Sequence, residues 1–284
     1  MQWHQGDGLR WRVRLLCMTL PFAGLLVLFT GWPVVRSLWL VIERPGNVPR
    51  LLTDLVFWAA LANTLILTAL LLTLQIGVGL GLALLLSDRR VVGRRALRLM
   101  VFSTHLIGPA FVAVLFAVLL GGPRSPGEAF LTAVGVGPVG FASTPAGATA
   151  AILLAGTWLG AGYAMLYLLA GLRGIDPALH EAAQLDGAGA ARRLWHVTLP
   201  GLRPMLAFLT IAGSVWGVQL FELPLLLFNG PGPGFRGLTL VMVLYQSGID
   251  AGDLHYAATI GWAVVFVMAT LAGGQALIYR RLAT

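Results

Sequence analysis

An all-α, polytopic membrane protein with six transmembrane helices is the fold class this sequence predicts, on three observations. Hydrophobic residues make up 58% of the 284 and charged residues only 11%, with a mean hydropathy of +0.84; soluble domains carry about 25% charge. Six apolar stretches reach the roughly 20 residues with which a helix crosses about 30 Å of hydrocarbon. None alternates as a strand would, and hydrocarbon offers no partner to an unpaired backbone group, so each reads as helical.

The chain reads as one transmembrane domain over 1–284. Residues 1–14 are polar and carry Arg10, Arg12 and Arg14. Span 1, residues 15–35, exceeds the apolar core of a signal peptide and precedes no A-x-A site, so it is expected to stay, with Pro33 near its outer end. Span 2 covers 58–86, span 3 covers 99–120, span 4 covers 148–172, span 5 covers 205–228 and span 6 covers 256–279. The intervening segments 36–57, 121–147 and 229–255 are rich in Gly and Pro, including Pro123, Pro126 and the run from Gly230 to Gly234. They read as tight turns and short surface segments rather than a folded external domain.

All 19 basic residues are Arg. With the N-terminus inside, 14 of them, Arg89 included, fall on inner segments, and five, Arg36, Arg44, Arg50, Arg124 and Arg236, on outer ones. This bias predicts a plasma-membrane protein with both termini and the 173–204 loop in the cytoplasm. A sequence pI near 10.9 fits nucleic acid on charge alone, but the apolar content assigns the Arg residues to anionic headgroups. Without Lys there is no G-x-x-x-x-G-K-[ST] phosphate loop, so any ATP chemistry lies on another chain. The lone Cys17 excludes an internal disulfide and a Cys-based metal cluster.

Residues 181–204 form a polar, small-residue-rich segment between two spans. Asp176-Pro177 reads as a helix start, with Asp as N-cap and Pro at the first helical position. Ala178 to Gln184 are good helix formers, Gly187 and Gly189 interrupt the helix, and a second short helical piece ends at Leu199-Pro200. Pro204 then opens span 5. Ala182, Ala183, Gly187 and Ala188 allow close approach by a partner backbone. Glu181 and Asp186 can accept charge-assisted hydrogen bonds. A helix lying on the membrane surface would look similar.

Glu181-Ala182-Ala183, Asp186-Gly187-Ala188, Leu199-Pro200 and Pro204 together resemble the E-A-A-x-x-x-G motif of binding-protein-dependent ABC importer permeases. Pro33-Val34-Val35-Arg36-Ser37-Leu38, Asn63-Thr64-Leu65 and Asn229-Gly230-Pro231 are similar to the sugar-importer branch, on the side of the maltose-permease F-type subunit. Leu194 stands where that family usually has an aromatic, and Trp195 follows it. The resemblance implies that the loop helix docks into a cytoplasmic ATPase, which holds the ATP and magnesium, leaving this chain without a cofactor. It implies as partners two ATPase subunits, a second homologous permease and an extracytoplasmic solute-binding protein, within the membrane lipids. It also implies an inward-moving sugar or sugar-like solute.

Polar groups at depth are expensive in hydrocarbon and mark cavities or partners. Glu222 reads as the only acid well inside a span, with solute hydroxyls, gating or a structural pair as its possible roles. His105 reads as a packing or hydrogen-bonding residue, and Asn63 and Gln75 as interhelical hydrogen-bond donors. The midplanes of spans 4 and 5 fall near Gly160 and Trp216, the depth at which transporter sites lie. Trp158, Gly162 and their neighbours combine ring faces with gaps, as helix packing also would. The family resemblance puts solute contacts at positions matching Leu159, Gly160, Tyr163, Trp216 and Gln219. Two rival functions remain at this stage. A self-sufficient proton- or sodium-coupled carrier would use Glu222. A membrane-embedded lipid-modifying enzyme would need more than His180, Glu181 and Asp186. No triad, metal cluster or paired catalytic carboxylates within a span argues for an enzyme.

Overall fold

A computed structural model describes residues 7–88, 90–122, 124–136 and 138–283, with side-chain environments at Trp11 and, within those ranges, from residue 17 to residue 281. Arg89, Pro123 and the side chains of Arg10, Arg12 and Arg14 lie outside the described residues. Four helices are each long and apolar enough to cross a membrane, or up to six spans if two bent pairs, Arg94–Leu106 with Pro109–Leu120 (98°) and Ala190–Gly201 with Arg203–Val218 (67°), each count as one. The all-α, polytopic expectation therefore holds, but not every span is a straight rod.

The first span is longer than its apolar run. Helix α1 (Asp7–Leu26) passes through a π-helical turn at Val27–Gly31 into α2 (Trp32–Glu43). Pro33 falls two residues after the π segment; its ring crowds the carbonyl four residues back, at Phe29 within that segment, and a widened turn relieves that contact. A short α3 (Asn47–Thr53) leads to α4 (Leu55–Ser87). The Asp54 carboxylate caps α4 by accepting from Val56 N at 2.8 Å.

Span 3 departs from expectation. It is two helices, α5 (Arg94–Leu106) and α6 (Pro109–Leu120), bent by 98°. Pro109 lacks an N–H and forces the residue before it out of the helical region, and Gly108 sits at φ −62, ψ 148. Span 5 breaks as well. Helix α12 (Arg203–Val218) stops, and α13 (Glu222–Phe228) starts afresh with Pro224 in its first turn, where a missing N–H costs nothing. Glu222 is thus not inside a continuous span; it is the exposed first residue of a new short helix.

The segments read as surface turns also contain helices. Helix α7 (Pro126–Ala133) occupies one, and α14 (Leu240–Tyr245) another. Leu240 and Met242 are fully buried, and Leu240 N donates to Thr64 Oγ1 at 3.0 Å. The outer segment 229–255 therefore folds back into the core rather than over it. In the same region Asn63 Nδ2 donates to the Phe235 carbonyl at 2.7 Å.

The centre of the bundle is the pair α4 and α8 (Pro145–Arg173), flanked by α5 and α12, with α15 (Leu254–Ala283) packed on α12. Small residues bring α8 close to its neighbours. A Cβ on Gly162 would lie 2.2 Å from the Val101 carbonyl oxygen of α5, so only Gly permits that approach. Gln75 Nε2 donates across the pair to the Gly156 carbonyl at 2.9 Å, as expected of a polar residue at depth.

Glu128 of α7 is only 2% exposed. Its carboxylate accepts from Phe141 N at 3.0 Å and from Val139 N at 2.8 Å. These backbone donors, Phe141 foremost, hold its pKa below the usual carboxylate value against the opposing effect of burial. A depressed carboxylate lends stability above its unfolded pKa of about 4.3 and loses it as pH falls through the folded value. Amide exchange at Val139 and Phe141 should therefore be slow at neutral pH and accelerate in acid below the ordinary carboxylate range. Glu128→Gln should exchange fast at both.

Candidate functional site

Two regions gather the residues singled out by sequence. The first is the loop between α8 and α12. Asp176 accepts from Ala178 N at 2.9 Å and starts α9 (Pro177–Leu185) as expected. The helix ends in a Schellman motif: Ala188 N donates to the Ala183 carbonyl at 2.9 Å and Gly187 N to the Gln184 carbonyl at 3.0 Å. Gly187 has φ +75, which a side chain would strain by about 1–2 kcal/mol. Then α10 (Ala190–Arg193), a π-helical turn at Leu194–Thr198 and α11 (Leu199–Gly201) lead into α12. The turn precedes Pro200, as the one at Val27–Gly31 precedes Pro33, and Thr198 Oγ1 donates to the Arg193 carbonyl at 3.4 Å.

The loop is anchored from within. Ile175, Thr198 and Leu202 are buried, and Ile175 and Leu202 join a core cluster with Leu168, Leu169 and Leu209. Helix α9 has two unlike faces. His180 and Ala183 are half-buried toward the spans, whereas Ala178, Glu181, Ala182 and Leu185 are exposed. Pro177, Leu179 and Gln184 are exposed as well, so seven of the nine residues of α9 are open and only His180 and Ala183 turn inward; Ala178, Glu181, Ala182 and Leu185, at i, i+3, i+4 and i+7, form the stripe opposite them. Leu185 is 89% exposed, which a soluble surface or a lone chain gives no reason for.

Of the loop residues chosen from sequence, Glu181, Ala182, Asp186 and Gly187 lie on this open side. Ala183, Ala188, Leu194, Leu199 and Pro200 are half-buried and shape the loop from behind. Nothing lies within 4 Å of the space a Gly187 side chain would fill. Leu179 and Leu185, which the sequence reading passed over, and the exposed Trp195 add apolar area. The signal was present, since an apolar residue three or four positions from an exposed polar residue lies beside it on a helix.

The second region is a row of rings across three helices. His105 of α5 lies 4.7 Å from the Tyr163 ring of α8 and 5.6 Å from the Trp216 ring of α12. Tyr167 continues the row at 4.7 Å from Tyr163, and Phe208 stands 4.8 Å beyond it. His105 Nδ1 is 3.3 Å from the Leu159 carbonyl. A carbonyl only accepts, so this contact puts the proton on Nδ1 and leaves Nε2 for another partner. Thr104 Oγ1 donates to the Trp158 carbonyl at 3.1 Å, which fixes α5 against α8.

Leu159, Tyr163 and Trp216 are thus brought together around His105, which the sequence marked as a packing or hydrogen-bonding residue and not as part of a site. His105 is a polar residue three positions before the Gly108-Pro109 break, and that break is what turns α5 toward α8. Other chosen residues go elsewhere. A Cβ on Gly160 would meet the Gln75 amide at 2.4 Å, so Gly160 serves the α4–α8 contact. Gln219 caps α12 and its Nε2 lies 3.4 Å from Met268 Sδ of α15. Glu222 begins α13. The Trp216 indole is 63% exposed. The row is therefore open at its Trp216 end.

Residues 75–283 match the family of binding-protein-dependent transport system inner membrane components. The chain is 30% identical over 264 residues to the lactose transport system permease protein LacF of Rhizobium radiobacter, spanning 88% of this chain and 89% of that one. It is 31% identical over 284 residues to the sulfoquinovosyl glycerol transport system permease protein SmoG of Agrobacterium fabrum, spanning 95% and 90%. In fold it is similar to a chain in the crystal structure of a bacterial ABC transporter that imports alginate. The TM-score is 0.85 at 24% identity, over 98% of this chain and 99% of that one.

Proposed function

The chain belongs to the family of binding-protein-dependent transport system inner membrane components, and on that premise we propose how it divides the labour of an ATP-driven importer. It is a multi-pass membrane permease. In the proposal it supplies one wall of the path for a sugar or sugar-like solute and one contact for a cytoplasmic ATPase. The observation that carries this is the exposed stripe of α9, mounted on a loop whose other face is buried in the bundle. A surface held this firmly and left this apolar fits a partner that pushes on it.

The single permease domain of 1–284 then uses its 173–204 loop for coupling. Glu181, Ala182, Asp186 and Gly187 meet the ATPase directly. Ala183, Ala188, Leu194, Leu199 and Pro200 set the angle of the loop. ATP hydrolysis and its magnesium belong to two separate ATPase subunits. A second, homologous permease supplies the facing wall and the second loop, and a solute-binding protein delivers the solute from outside. The termini and the loop are cytoplasmic, following the Arg distribution. Relatives named for lactose and sulfoquinovosyl glycerol support a sugar-like solute, as does a wall of rings with one imidazole. Apolar sugar faces stack on rings, and hydroxyls need a few placed polar groups. Leu159, Tyr163, Trp216 and, by this structure, His105 are the proposed contacts; Gln219 and Glu222 stand at its outer edge and Gly160 behind it.

A carrier using Glu222 as a proton site draws no support from the family or from that residue's position. Proteoliposomes discriminate the readings. Uptake should require ATP, both permeases, the ATPase and the binding protein together. Ionophore-sensitive sugar flux from this chain alone would overturn the proposal.

A further inference from the structure

At the end of the bundle that carries α9, the tips of α4, α5 and α8 enclose a cavity of about 450 Å³. Its polar lining is Ser87, Arg94, Arg98, Arg173, His180 and Thr198, with no carboxylate among the lining residues. Arg98 feels the repulsion of Arg173, Arg94 and Arg95 together. The ion pairs Arg36–Glu43, Arg50–Asp253 and His255–Glu43 lie at the opposite end of the molecule.

Local structure explains part of this clustering. Arg98 Nη2 donates to the Leu86 carbonyl, and Arg94 Nη1 to the Ser87 carbonyl at 3.5 Å. Both carbonyls are among the unpaired acceptors at the C-terminal end of α4, where positive charge is favoured. Each bond uses one of the five N–H donors of a guanidinium. Arg98 Nε is shut off from solvent and has no partner. Arg173 makes no ion pair among the described residues. Cap bonds to α4 therefore leave most of the donors, and all of the charge, facing a space with nothing negative in it.

We propose that this cavity binds a phosphate-type oxyanion, held by Arg94, Arg98 and Arg173 and touching the loop through His180. Tetrahedral oxyanions offer several acceptors in the spacing that guanidinium forks match. The site lies where three spans end, at headgroup depth, and basic pockets between spans on that side suit anionic phospholipids. The shared chemistry is the phosphate, which a lipid headgroup or free phosphate can supply. His180 stands on α9, so an occupant ties the loop to the spans.

Native mass spectrometry of the full chain in detergent, with phosphatidylglycerol or phosphatidylcholine added, reads the first source. The wild-type chain should retain phosphatidylglycerol in preference. Arg94→Gln with Arg98→Gln should weaken that retention about 25-fold and Arg173→Gln about fivefold, at roughly fivefold per arginine near the surface. Arg192→Gln, an exposed arginine of the same loop outside the cavity, should leave it unchanged. Arg173→Gln touches no α4 carbonyl, so it reports even if the double variant misfolds. A thermal shift with millimolar inorganic phosphate reads the second source: a shift lost in Arg173→Gln, without any lipid preference, assigns the site to soluble phosphate. If Arg173→Gln binds phosphatidylglycerol like the wild type and shows the same response to phosphate, the proposal fails.

Discussion

Replacing Glu181 with Lys leaves the chain in the membrane and lowers solute uptake by at least about 30-fold, the scale of losing an interface contact worth 2 kcal/mol or more. The reasoning begins with exposure. Glu181 lies on the outward stripe of α9 with Ala178, Ala182 and Leu185, and no salt bridge inside the chain involves it among the described residues. Its removal costs the isolated fold little, and a defect in uptake must come from a partner. Gly187 allows a sharper version. Gly187→Ala strains the left-handed φ, whereas Asn tolerates that region with little cost. Since the space beyond Gly187 is empty within this chain, Gly187→Asn should keep the loop's shape and still block uptake by crowding the ATPase. Uptake assays in whole cells, with membrane content followed by immunoblot, check both. Normal uptake in Gly187→Asn would reduce the glycine to a turn requirement.

Trp216→Ala should raise the apparent KM for solute about tenfold, with Tyr163→Ala similar. Stacking on a ring is worth about 0.5–1.5 kcal/mol beyond area burial, and tenfold corresponds to 1.4 kcal/mol. The two rings flank His105 at 5.6 and 4.7 Å, so the double variant should fall short of the product of the single effects, as neighbours in one cluster do. ATPase activity driven by the binding protein without solute should stay the same, because neither ring lies near the α9 loop. Initial-rate transport in proteoliposomes gives the KM values. Unchanged KM in both variants would leave the rings as packing residues.

Composition, the length of the apolar runs and their lack of alternation carried the fold class, because a backbone in lipid is satisfied only by helices or by closed barrels, whose strands alternate. The ends of α9 were legible too, since Asp176, Pro177 and Gly187 each act through local backbone chemistry. What could not be read were bends and faces. Gly108-Pro109 was visible, yet hydropathy averages over it, and the 98° turn it produces appears only when α6 packs on α13. Pro224 was hidden in the same way, and with it the true position of Glu222. His105 stood out as polar at depth, but its neighbours Tyr163 and Trp216 come from helices 58 and 111 residues further on, and no local pattern records that meeting. Buried Glu128 went unnoticed because its partners are backbone amides, which carry no sequence signature.

The central claim is that α9 hands the work of nucleotide hydrolysis to the spans. A photo-reactive side chain placed at Leu185, an apolar residue of the stripe that is 89% exposed, tests it directly in membranes of cells expressing the whole importer. The account predicts a crosslink to the ATPase subunit whose yield changes between nucleotide-free and ATP-bound states. Crosslinking to lipid alone, or labelling of Leu185 from outside the cell, would contradict it.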